Sequence, residues 1–328
     1  MSLVIDKISI HTPSTVLTNA QLTKQFNVSE AEIIKRTGIE TRYLSAKDET
    51  ASDLAFEAGK KLLNADHKLK AEIDFLIFCS NCFDYIAPAT SCILQNRLGL
   101  PQTVGCIDLP YGCSGYVYGL GIANGLLHSG MAKKVLFLCC DTSTKTLHPD
   151  SFEQRSLFSD VATATIIAAN SNGPDQFVFG TDGGGATDLY IEGSAFRAPI
   201  HADYKRDDTC LPNGKMYMDG QGIFSFALKT VPGLVSDTLQ KCNLKFDDID
   251  LFIFHQANGF ILETLRRKLN IPKEKFYTNI KDYGNTVVST IPLAIYGAEQ
   301  EKVLKRGMKL LMVGFGVGNS WAATVINY

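Results

Sequence analysis

Three polar side chains in this sequence stand where an α/β protein can place groups that react with a carbonyl carbon. Cys113 lies in the turn "GCSG", between an apolar run and a segment of helix length. His255 ends the apolar run "LFIFH", and Asn285 lies in the loop "YGNT". A cysteine sulfur can attack an acyl carbonyl, and an imidazole with a carboxamide can donate hydrogen bonds to a substrate oxygen. The combination predicts acyl-transfer chemistry on a cysteine.

A glycine-rich turn offers a further group that such chemistry needs. In "MVGFGVGNSW" an apolar strand runs into Gly316 and Val317, and exposed backbone N–H groups in such a turn can bind an oxyanion. Cys113 stands directly before a helix, and the positive end of a helix dipole lowers the pKa of a thiol. We therefore expect Cys113 to ionise more readily than an ordinary cysteine.

Each of these signals has a plainer explanation when taken alone. A cysteine is often core filler, a histidine at a strand end is often a hydrogen-bonded structural group, and glycine also permits close packing. Their conjunction favours a shared site, because each polar group follows an apolar strand. Residues 79–82, Cys-Ser-Asn-Cys, raise a zinc or redox alternative, but a zinc site needs four ligands and no second paired set is present. Two packed thiols at a strand end are the favoured interpretation.

The elements that carry these residues occur twice along the chain. "IDFLIFCSNC" at 73–82 corresponds to "IDLFIFHQAN" at 249–258, and "GMAKKVLFLCC" corresponds to "GMKLLMVGFG". A segment of helix length lies before each of the second pair, at 114–129 and 291–306. Alternating helices and strands that are apolar on both faces predict a layered α/β fold made of two similar halves.

The predicted organisation has three parts. The first half, residues 1–170, carries the cysteine, and the second half, residues 223–328, carries the histidine and the asparagine. The segment 171–222 is rich in Gly, Asp and Asn. Because it is too long for a simple turn, we expect it to hold hairpins and part of a pocket wall.

Composition narrows the class of protein. The chain has 328 residues, 45% of them hydrophobic, and a formal net charge of −2. This charge argues against nucleic-acid and anionic-membrane partners. No apolar run is long enough to span a bilayer, and the start of the chain does not look like a signal peptide. With nine cysteines that form no disulfide framework, we expect a cytoplasmic protein.

Over essentially its full length the chain resembles the β-ketoacyl-(acyl carrier protein) synthase III family of the thiolase superfamily. The matching phrases are "KRTGIETRY", "GCSGYVYGL", "FHQAN", "YGNTVVSTIP" and "GFGVGNSW". The resemblance implies a five-layered αβαβα fold from two duplicated halves, a homodimer, and a catalytic triad of Cys113, His255 and Asn285. It further implies that only the second copy of the repeated strand presents its end to the active site, with Cys79–Cys82 as a structural counterpart.

The resemblance also implies a reaction. Cys113 takes the acyl group from a thioester, with backbone N–H groups of Cys113, Gly316 and Val317 forming the oxyanion hole. His255 and Asn285 then stabilise the enolate that forms when a malonyl thioester loses carbon dioxide, and this enolate attacks the acyl group. The product is a β-ketoacyl thioester for fatty-acid or secondary-metabolite synthesis. Substrates are carried as coenzyme A or phosphopantetheine thioesters, and no metal or redox cofactor is required.

Further residues are expected at the substrate and at the carrier protein. Glu32 replaces the family's coenzyme A-stacking tryptophan near Arg36, which favours an acyl carrier protein as donor. The resemblance places Ala87 where the partner subunit closes the acyl pocket with a large side chain, so the small Ala87 suggests room for longer or bulkier acyl groups. The predicted substrate-binding residues are Arg36, Ala87, Asn258, Glu153 and Arg155. The predicted carrier-docking residues are Arg266, Arg267 and Lys268, for which a solvated helix face is the alternative.

Three other functions stay open from the sequence. The scaffold could transfer acyl groups to an amine or hydroxyl without decarboxylation. It could also cyclise its product, with Glu153 as a base. A non-enzymatic partner subunit of a ketosynthase is the third alternative, and the retained triad argues against it.

Overall fold

Strands and helices alternate along the chain, as the apolar patterning predicts. The computed structural model describes residues 2–170, 173, 176–191, 193–196 and 214–328. Up to residue 170 the elements are β1 (Ser2–His11), β2 (Thr15–Thr18), α1 (Asn19–Phe26), α2 (Glu30–Thr37), β3 (Thr41–Leu44), α3 (Ala51–Ala65), α4 (Leu69–Glu72), β4 (Phe75–Cys79), α5 (Thr90–Leu98), β5 (Gly105–Leu109), α6 (Gly115–His128), β6 (Lys134–Cys139), α7 (Phe152–Arg155) and β7 (Ala162–Asn170). The later elements are β8 (Phe177–Thr181), β9 (Leu189–Ile191), β10 (Met216–Met218), α8 (Gly220–Lys241), β11 (Leu251–Phe254), α9 (Gly259–Lys268), α10 (Ile280–Tyr283), α11 (Thr290–Gln300), β12 (Lys309–Gly316) and β13 (Ser320–Asn327).

Two large sheets share one strand plan. The first has the order β1-β7-β6-β4-β5, and the second has the order β8-β13-β12-β11. In each sheet the two repeated strands are parallel, and the next strand runs antiparallel to them. The carboxylates of Asp74 and Asp250 accept equivalent hydrogen bonds from the backbone N–H groups of Lys134 (3.1 Å) and Lys309 (2.7 Å). The chain therefore consists of two duplicated halves, as predicted.

The segment 171–222 contributes to the second sheet. Its strand β8 pairs antiparallel with β13, just as β1 pairs with β7 in the first sheet. Its strands β9 and β10 pair with each other in a separate antiparallel ribbon. By strand pairing the second half begins at β8, and residue 223 lies inside α8, which is capped by Asp219.

Three hydrophobic clusters separate the layers. Side chains alternate between the two faces of a strand, so Ile77 of β4 packs toward the middle layer while its neighbour Phe78 packs outward. In β11 the equivalent pair is Ile253 and Phe252. Helices α6 and α11 form the middle layer, α3 and α5 cover the first sheet, and α8 and α9 cover the second. This is the five-layered thiolase-like arrangement, and each large buried apolar side chain contributes roughly 2 kcal/mol to it.

Among the described residues, none of the helices is both long enough and apolar enough to cross a lipid bilayer.

Candidate active site

One cavity brings the predicted catalytic residues together. It has a volume of about 390 Å³ and is lined by Cys113, His255 and Asn285, which come from different parts of the chain. Gly316 and Val317 of the predicted oxyanion turn also line it. The predicted convergence of a sulfur, an imidazole and a carboxamide on one pocket is therefore present.

The turn that holds Cys113 is fixed by close backbone contacts. Cys113 and Ser114 precede α6, and the Ser114 hydroxyl is 2.7 Å from that of Ser320. A Cβ atom at Gly314 would stand 2.8 Å from the Cα of Ser114, so only glycine lets the end of β12 approach this turn. The duplicated strand thereby brings the glycine-rich turn to the cysteine.

The thiol of Cys113 is buried, and this changes its acidity. Burial raises its pKa to about 12, because the charged form loses water, and the backbone N–H of Val317 only partly offsets this loss. The expectation that the helix dipole makes Cys113 easily ionised is therefore wrong for the free protein. At neutral pH the thiol is protonated and needs a proton acceptor when it reacts.

His255 is held at the end of β11 as a neutral imidazole. Its backbone N–H donates to the carbonyl of Val313 (2.7 Å), and its ring meets Phe315 edge-on with centroids 5.6 Å apart. Burial lowers its pKa to about 3, because the imidazolium loses its hydration. The Nδ1 atom lies 2.7 Å from the hydroxyl of Thr290. His255 is thus neutral at physiological pH, and one of its ring nitrogens carries a lone pair that can accept a hydrogen bond.

The carboxamide of Asn285 has a defined orientation. Its Oδ1 accepts from the backbone N–H of Val287 (2.9 Å), and its Nδ2 donates to the carbonyl of Ala257 (3.2 Å). The Asn285 backbone is itself fixed by bonds to Leu157 and Ser159. Since Oδ1 is occupied, the second N–H of Nδ2 is the group that this amide can offer to a ligand.

The loop after Asn285 contains a strained residue. Val287 has a φ of 53°, which is unfavourable for a β-branched side chain. Strain of this kind persists only where the surroundings enforce it, and it clusters at functional sites. Here the Val287 peptide holds the Asn285 amide.

The repeated strand of the first half also reaches the cavity. Asn81 and Cys82, which follow β4, line it together with Asn258, which caps α9 through a bond to the Ile261 N–H (2.7 Å). The expectation that only the second copy presents its end to the site is therefore wrong. Both strand ends meet there because duplication places them symmetrically about the middle layer.

The structure gives no support to a zinc or redox site at residues 79–82. Cys79 and Cys82 are free thiols, and burial raises the pKa of both. Within residues 2–170, 173, 176–191, 193–196 and 214–328, no group of three or more His, Cys, Asp or Glu side chains is placed to hold a metal ion.

Three predicted substrate residues do not line the cavity: Arg36, Glu153 and Arg155. Ala87, which is expected at the partner's pocket, does not line the cavity of its own chain. Arg36 forms an ion pair with Glu32 (2.6 Å) on α2, and its guanidinium lies 5.7 Å from the ring of Phe152. Ala87 and Glu153 are exposed, and Arg155 is half-buried. Because the Glu153 side chain is exposed and does not line the cavity, the structure gives no support to Glu153 as a base in that cavity.

The three predicted docking residues differ in their surroundings. Arg266 donates twice to Glu263 (2.8 Å each) and once to the carbonyl of Ile271 (2.7 Å). Its guanidinium therefore stabilises the C-terminal end of α9. Arg267 and Lys268 are exposed, and Arg267 also pairs with Glu263. These two side chains are the ones that a partner could reach.

Apolar residues dominate one end of the cavity. Cys113 packs in a cluster with Phe158, Met216 and Val287, against which Leu189 and Met218 also lie. Leu189, Met216 and Met218 belong to the ribbon of β9 and β10, in the segment where a pocket wall is predicted. The reactive sulfur therefore stands at an apolar space.

Sequence reasoning missed two polar residues beside the site. Thr290 contacts His255, and a threonine just before a segment of helix length gives no sign of such a contact. Asp141 is the second residue after β6, the repeat of β12, and accepts from the backbone N–H groups of Asn81 (2.7 Å) and Val288 (3.4 Å). Its place after a duplicated strand was the signal that could have revealed it.

Comparison with known proteins agrees with this geometry. Residues 107–183 match the sequence model of 3-oxoacyl-[acyl-carrier-protein (ACP)] synthase III, and residues 239–328 match that of its C-terminal part. A protein from Clostridium perfringens named β-ketoacyl-[acyl-carrier-protein] synthase III is 35% identical over 319 residues, covering 97% of this chain and 96% of that protein.

Two solved structures extend the comparison. A crystal structure of a 3-oxoacyl-(acyl-carrier-protein) synthase III has 41% identity and a TM-score of 0.95, covering 100% of both chains. The priming β-ketosynthase of the R1128 polyketide biosynthetic pathway has 25% identity and a TM-score of 0.89, covering 99% of this chain and 96% of that one. Sequence and fold together show that the chain belongs to the β-ketoacyl-(acyl carrier protein) synthase III family of the thiolase superfamily.

Proposed function

We propose that this protein is a ketosynthase that condenses an acyl thioester with a malonyl thioester, releasing carbon dioxide and forming a β-ketoacyl thioester. One observation carries the proposal: Cys113, His255, Asn285 and the turn at Gly316 and Val317 line the same cavity. A nucleophile, a proton acceptor, an amide donor and backbone N–H groups are the set that this chemistry uses.

The first step loads the enzyme. The Cys113 sulfur attacks the acyl carbonyl and loses its proton to His255, because the free thiol is protonated and the free imidazole is neutral. Backbone N–H groups of Cys113 and Val317 hold the oxyanion. The bond to the donor sulfur breaks, the donor thiolate takes the proton from His255, and the acyl group remains on Cys113 in the apolar part of the cavity.

The second step is the condensation. His255 and Asn285 donate hydrogen bonds to the thioester carbonyl of the malonyl group, which stabilises the enolate left when carbon dioxide departs. The enolate carbon attacks the acyl carbonyl, the bond from that carbon to the Cys113 sulfur breaks, and the departing thiolate takes up a proton from solvent as the product is released. The steps use only side chains and backbone groups of the chain, so we propose that no metal or redox cofactor takes part.

An acyl carrier protein is the proposed malonyl donor, and it is also the favoured acyl donor. Glu32 stands where an aromatic residue would stack on adenine, and it pairs with Arg36. The exposed Arg267 and Lys268 at the end of α9 offer positive charge to an acidic carrier protein. Whether the product enters fatty-acid synthesis or a specialised pathway depends on the acyl group.

We also propose a cytoplasmic homodimer. Strand β5 is an edge of the first sheet and exposes Ile107, and Tyr85 and Ile86 before Ala87 are 62% and 74% exposed. An apolar edge strand of this kind is a surface that pairs readily with a second copy. The free thiols suit a reducing compartment. Sedimentation of the wild type and Ile107→Lys tests the dimer, which the lysine should weaken.

The test of function separates loading from condensation. The wild type is incubated with acetyl, hexanoyl or dodecanoyl thioesters of coenzyme A and of an acyl carrier protein, and intact mass reports acylation. Malonyl-acyl carrier protein is then added, and carbon dioxide and the β-keto product are measured. Cys113→Ala should remove acylation, whereas Cys82→Ala, a change to the other cysteine of the cavity, should retain it.

Two results would contradict the proposal. Acylation that persists in Cys113→Ala would assign the nucleophile to another residue. Acyl transfer to an amine or hydroxyl without carbon dioxide release would instead indicate an acyltransferase on the same scaffold.

A further inference from the structure

The hydroxyl of Thr290 joins the two hydrogen-bond donors of the site. Its Oγ1 lies 2.7 Å from Nδ1 of His255 and 3.0 Å from the carbonyl oxygen of Val287. The N–H of the same Val287 holds Oδ1 of Asn285. Thr290 and His255 are both buried. One side chain therefore links the imidazole to the loop that fixes the carboxamide.

A hydroxyl has only one proton, and this limits the arrangement of the site. If Thr290 donates to the Val287 carbonyl, it accepts from His255, whose proton is then on Nδ1 and whose Nε2 is a bare acceptor. If Thr290 donates to Nδ1, the imidazole proton is on Nε2, which becomes a donor. The rotation of one hydroxyl thus distinguishes the two tautomers of His255.

The structure allows this rotation without leaving a buried group unpaired. The Val287 carbonyl also accepts from the backbone N–H of Thr290, so it keeps one partner when the hydroxyl turns away. The bond from the Val287 N–H to Asn285 does not involve the hydroxyl. The loop and the amide therefore stay in place in both arrangements.

We propose that Thr290 is a positioning residue whose hydroxyl sets the tautomer of His255, with Nε2 as a proton acceptor in the free enzyme and as a hydrogen-bond donor during condensation. This inference rests on the proposed function. The geometry favours the first arrangement in the free protein, because it satisfies both the Nδ1–H and the second acceptor site of the Val287 carbonyl.

Each tautomer suits one step. In loading, the sulfur–carbon bond to Cys113 forms, the thiol proton passes to bare Nε2, and the departing donor thiolate takes it as its own bond to the acyl carbon breaks. His255 is then neutral again with its proton on Nδ1. For decarboxylation the Thr290 hydroxyl turns to Nδ1, the imidazole proton is exchanged to Nε2 through cavity water, and Nε2–H donates to the malonyl carbonyl.

Three variants test the proposal. Thr290→Val keeps the shape but removes the hydroxyl, so Nδ1–H loses its acceptor and the proton should reside on Nε2. Thr290→Ser keeps the hydroxyl. Thr286→Val is the matched control, since Thr286 is buried in the same loop and its hydroxyl has no hydrogen-bond partner among the described residues.

Kinetics should separate the two steps. Loading of Cys113 should slow by about 100-fold in Thr290→Val, the usual scale of general-base catalysis. Carbon dioxide release from malonyl-acyl carrier protein, measured after prolonged loading has gone to completion, should stay close to the wild-type rate. Thr290→Ser and Thr286→Val should load like the wild type. Equal slowing of both steps in Thr290→Val, or a serine variant as slow as the valine variant, would overturn the proposal.

NMR of nitrogen-labelled histidine reports the tautomer without substrate. The free wild type should carry the His255 proton on Nδ1, and Thr290→Val should carry it on Nε2, with the signals identified by their loss in His255→Gln. A wild-type proton on Nε2 would overturn the assignment. If the wild type loads but never releases carbon dioxide, the proposed function fails, while the tautomer assignment is still decided by these spectra.

Discussion

Gly316 lies against the Cys113 side chain. A Cβ atom at Gly316 would stand 2.5 Å from Cβ and 2.8 Å from the sulfur of Cys113, distances that real Cβ atoms do not adopt. Gly316 also has a φ of 153° with a ψ of −133°, which favours glycine. The absence of one methyl group thus allows the turn and the nucleophile to share the same corner of the cavity.

Gly316→Ala should therefore impair the loading of Cys113. The added methyl group displaces either the sulfur or the turn that presents the Val317 N–H, and loss of an oxyanion donor costs on the order of 100-fold in rate. Time-resolved intact mass after mixing with an acyl thioester measures the effect.

Gly125→Ala provides the control for a glycine change. Gly125 lies within α6, and apart from its chain neighbours and the backbone of its own helix no described residue would come within 4 Å of an added Cβ. Alanine should stabilise this helix by roughly 0.5–1 kcal/mol and leave loading unchanged. Wild-type loading by Gly316→Ala would contradict the role given to the close contact.

Asn285→Ala should separate the two steps of the reaction. The variant loses an amide N–H that is proposed to stabilise the enolate, so carbon dioxide release should fall by at least about 100-fold. Loading should persist, because it relies on Cys113, His255 and the oxyanion turn. Intact mass follows loading, and a carbon dioxide assay follows condensation. Equal loss of both would assign Asn285 a structural role instead.

The location of the site could be predicted from sequence for a physical reason. Cys113 stands before a helix and His255 follows an apolar strand, and duplication brings equivalent strand ends to the same place in a layered fold. The expectation that Asn285 also follows a strand is wrong, because it lies in the loop between α10 and α11. That logic found Cys113 and His255, whereas Asn285 was found from its glycine-containing loop and the family resemblance. Applied to Asn81 and Cys82 it would have found them too, because β4 is the duplicate of β11 and ends at the same cavity.

Acid–base properties could not be predicted in the same way. The helix start at Cys113 is a local feature, whereas the burial that raises its pKa depends on elements far away in sequence. The contact of Thr290 with His255 likewise joins residues 35 positions apart, and a threonine at a helix start gives no sign of it. Tertiary burial outweighed the local signal.

The reactivity of Cys113 toward iodoacetamide should reveal its raised pKa. Only the thiolate is alkylated, so the rate should climb about tenfold per pH unit from pH 6 to 9 without reaching a plateau. Peptide mass spectrometry isolates the reaction at Cys113, and the Cys82→Ala background removes the neighbouring thiol. A plateau below pH 7 would show a thiolate–imidazolium pair and contradict the neutral ground state.

Asp141 is a buried carboxyl behind the catalytic loop, and it links stability to pH. Burial raises its pKa to about 7, and bonds from the N–H groups of Asn81 and Val288 only partly oppose this. A raised pKa means that folding favours the protonated form. Its contribution to stability is therefore fully present below about pH 4 and is lost as pH rises through about 7.

Asp141→Asn removes this titration while keeping a side chain of similar shape. The free energy of unfolding of the wild type minus that of the variant should fall by about 1.4 kcal/mol per pH unit between pH 4 and 7, and level off above pH 8. Urea unfolding at several pH values measures it. Asp66→Asn is the control, because the ion pair with Lys7 lowers the pKa of Asp66, so its difference should stay flat over this window. A flat difference for Asp141→Asn as well would mean that its carboxyl stays ionised in the folded protein, and that the backbone donors of Asn81 and Val288 outweigh its burial.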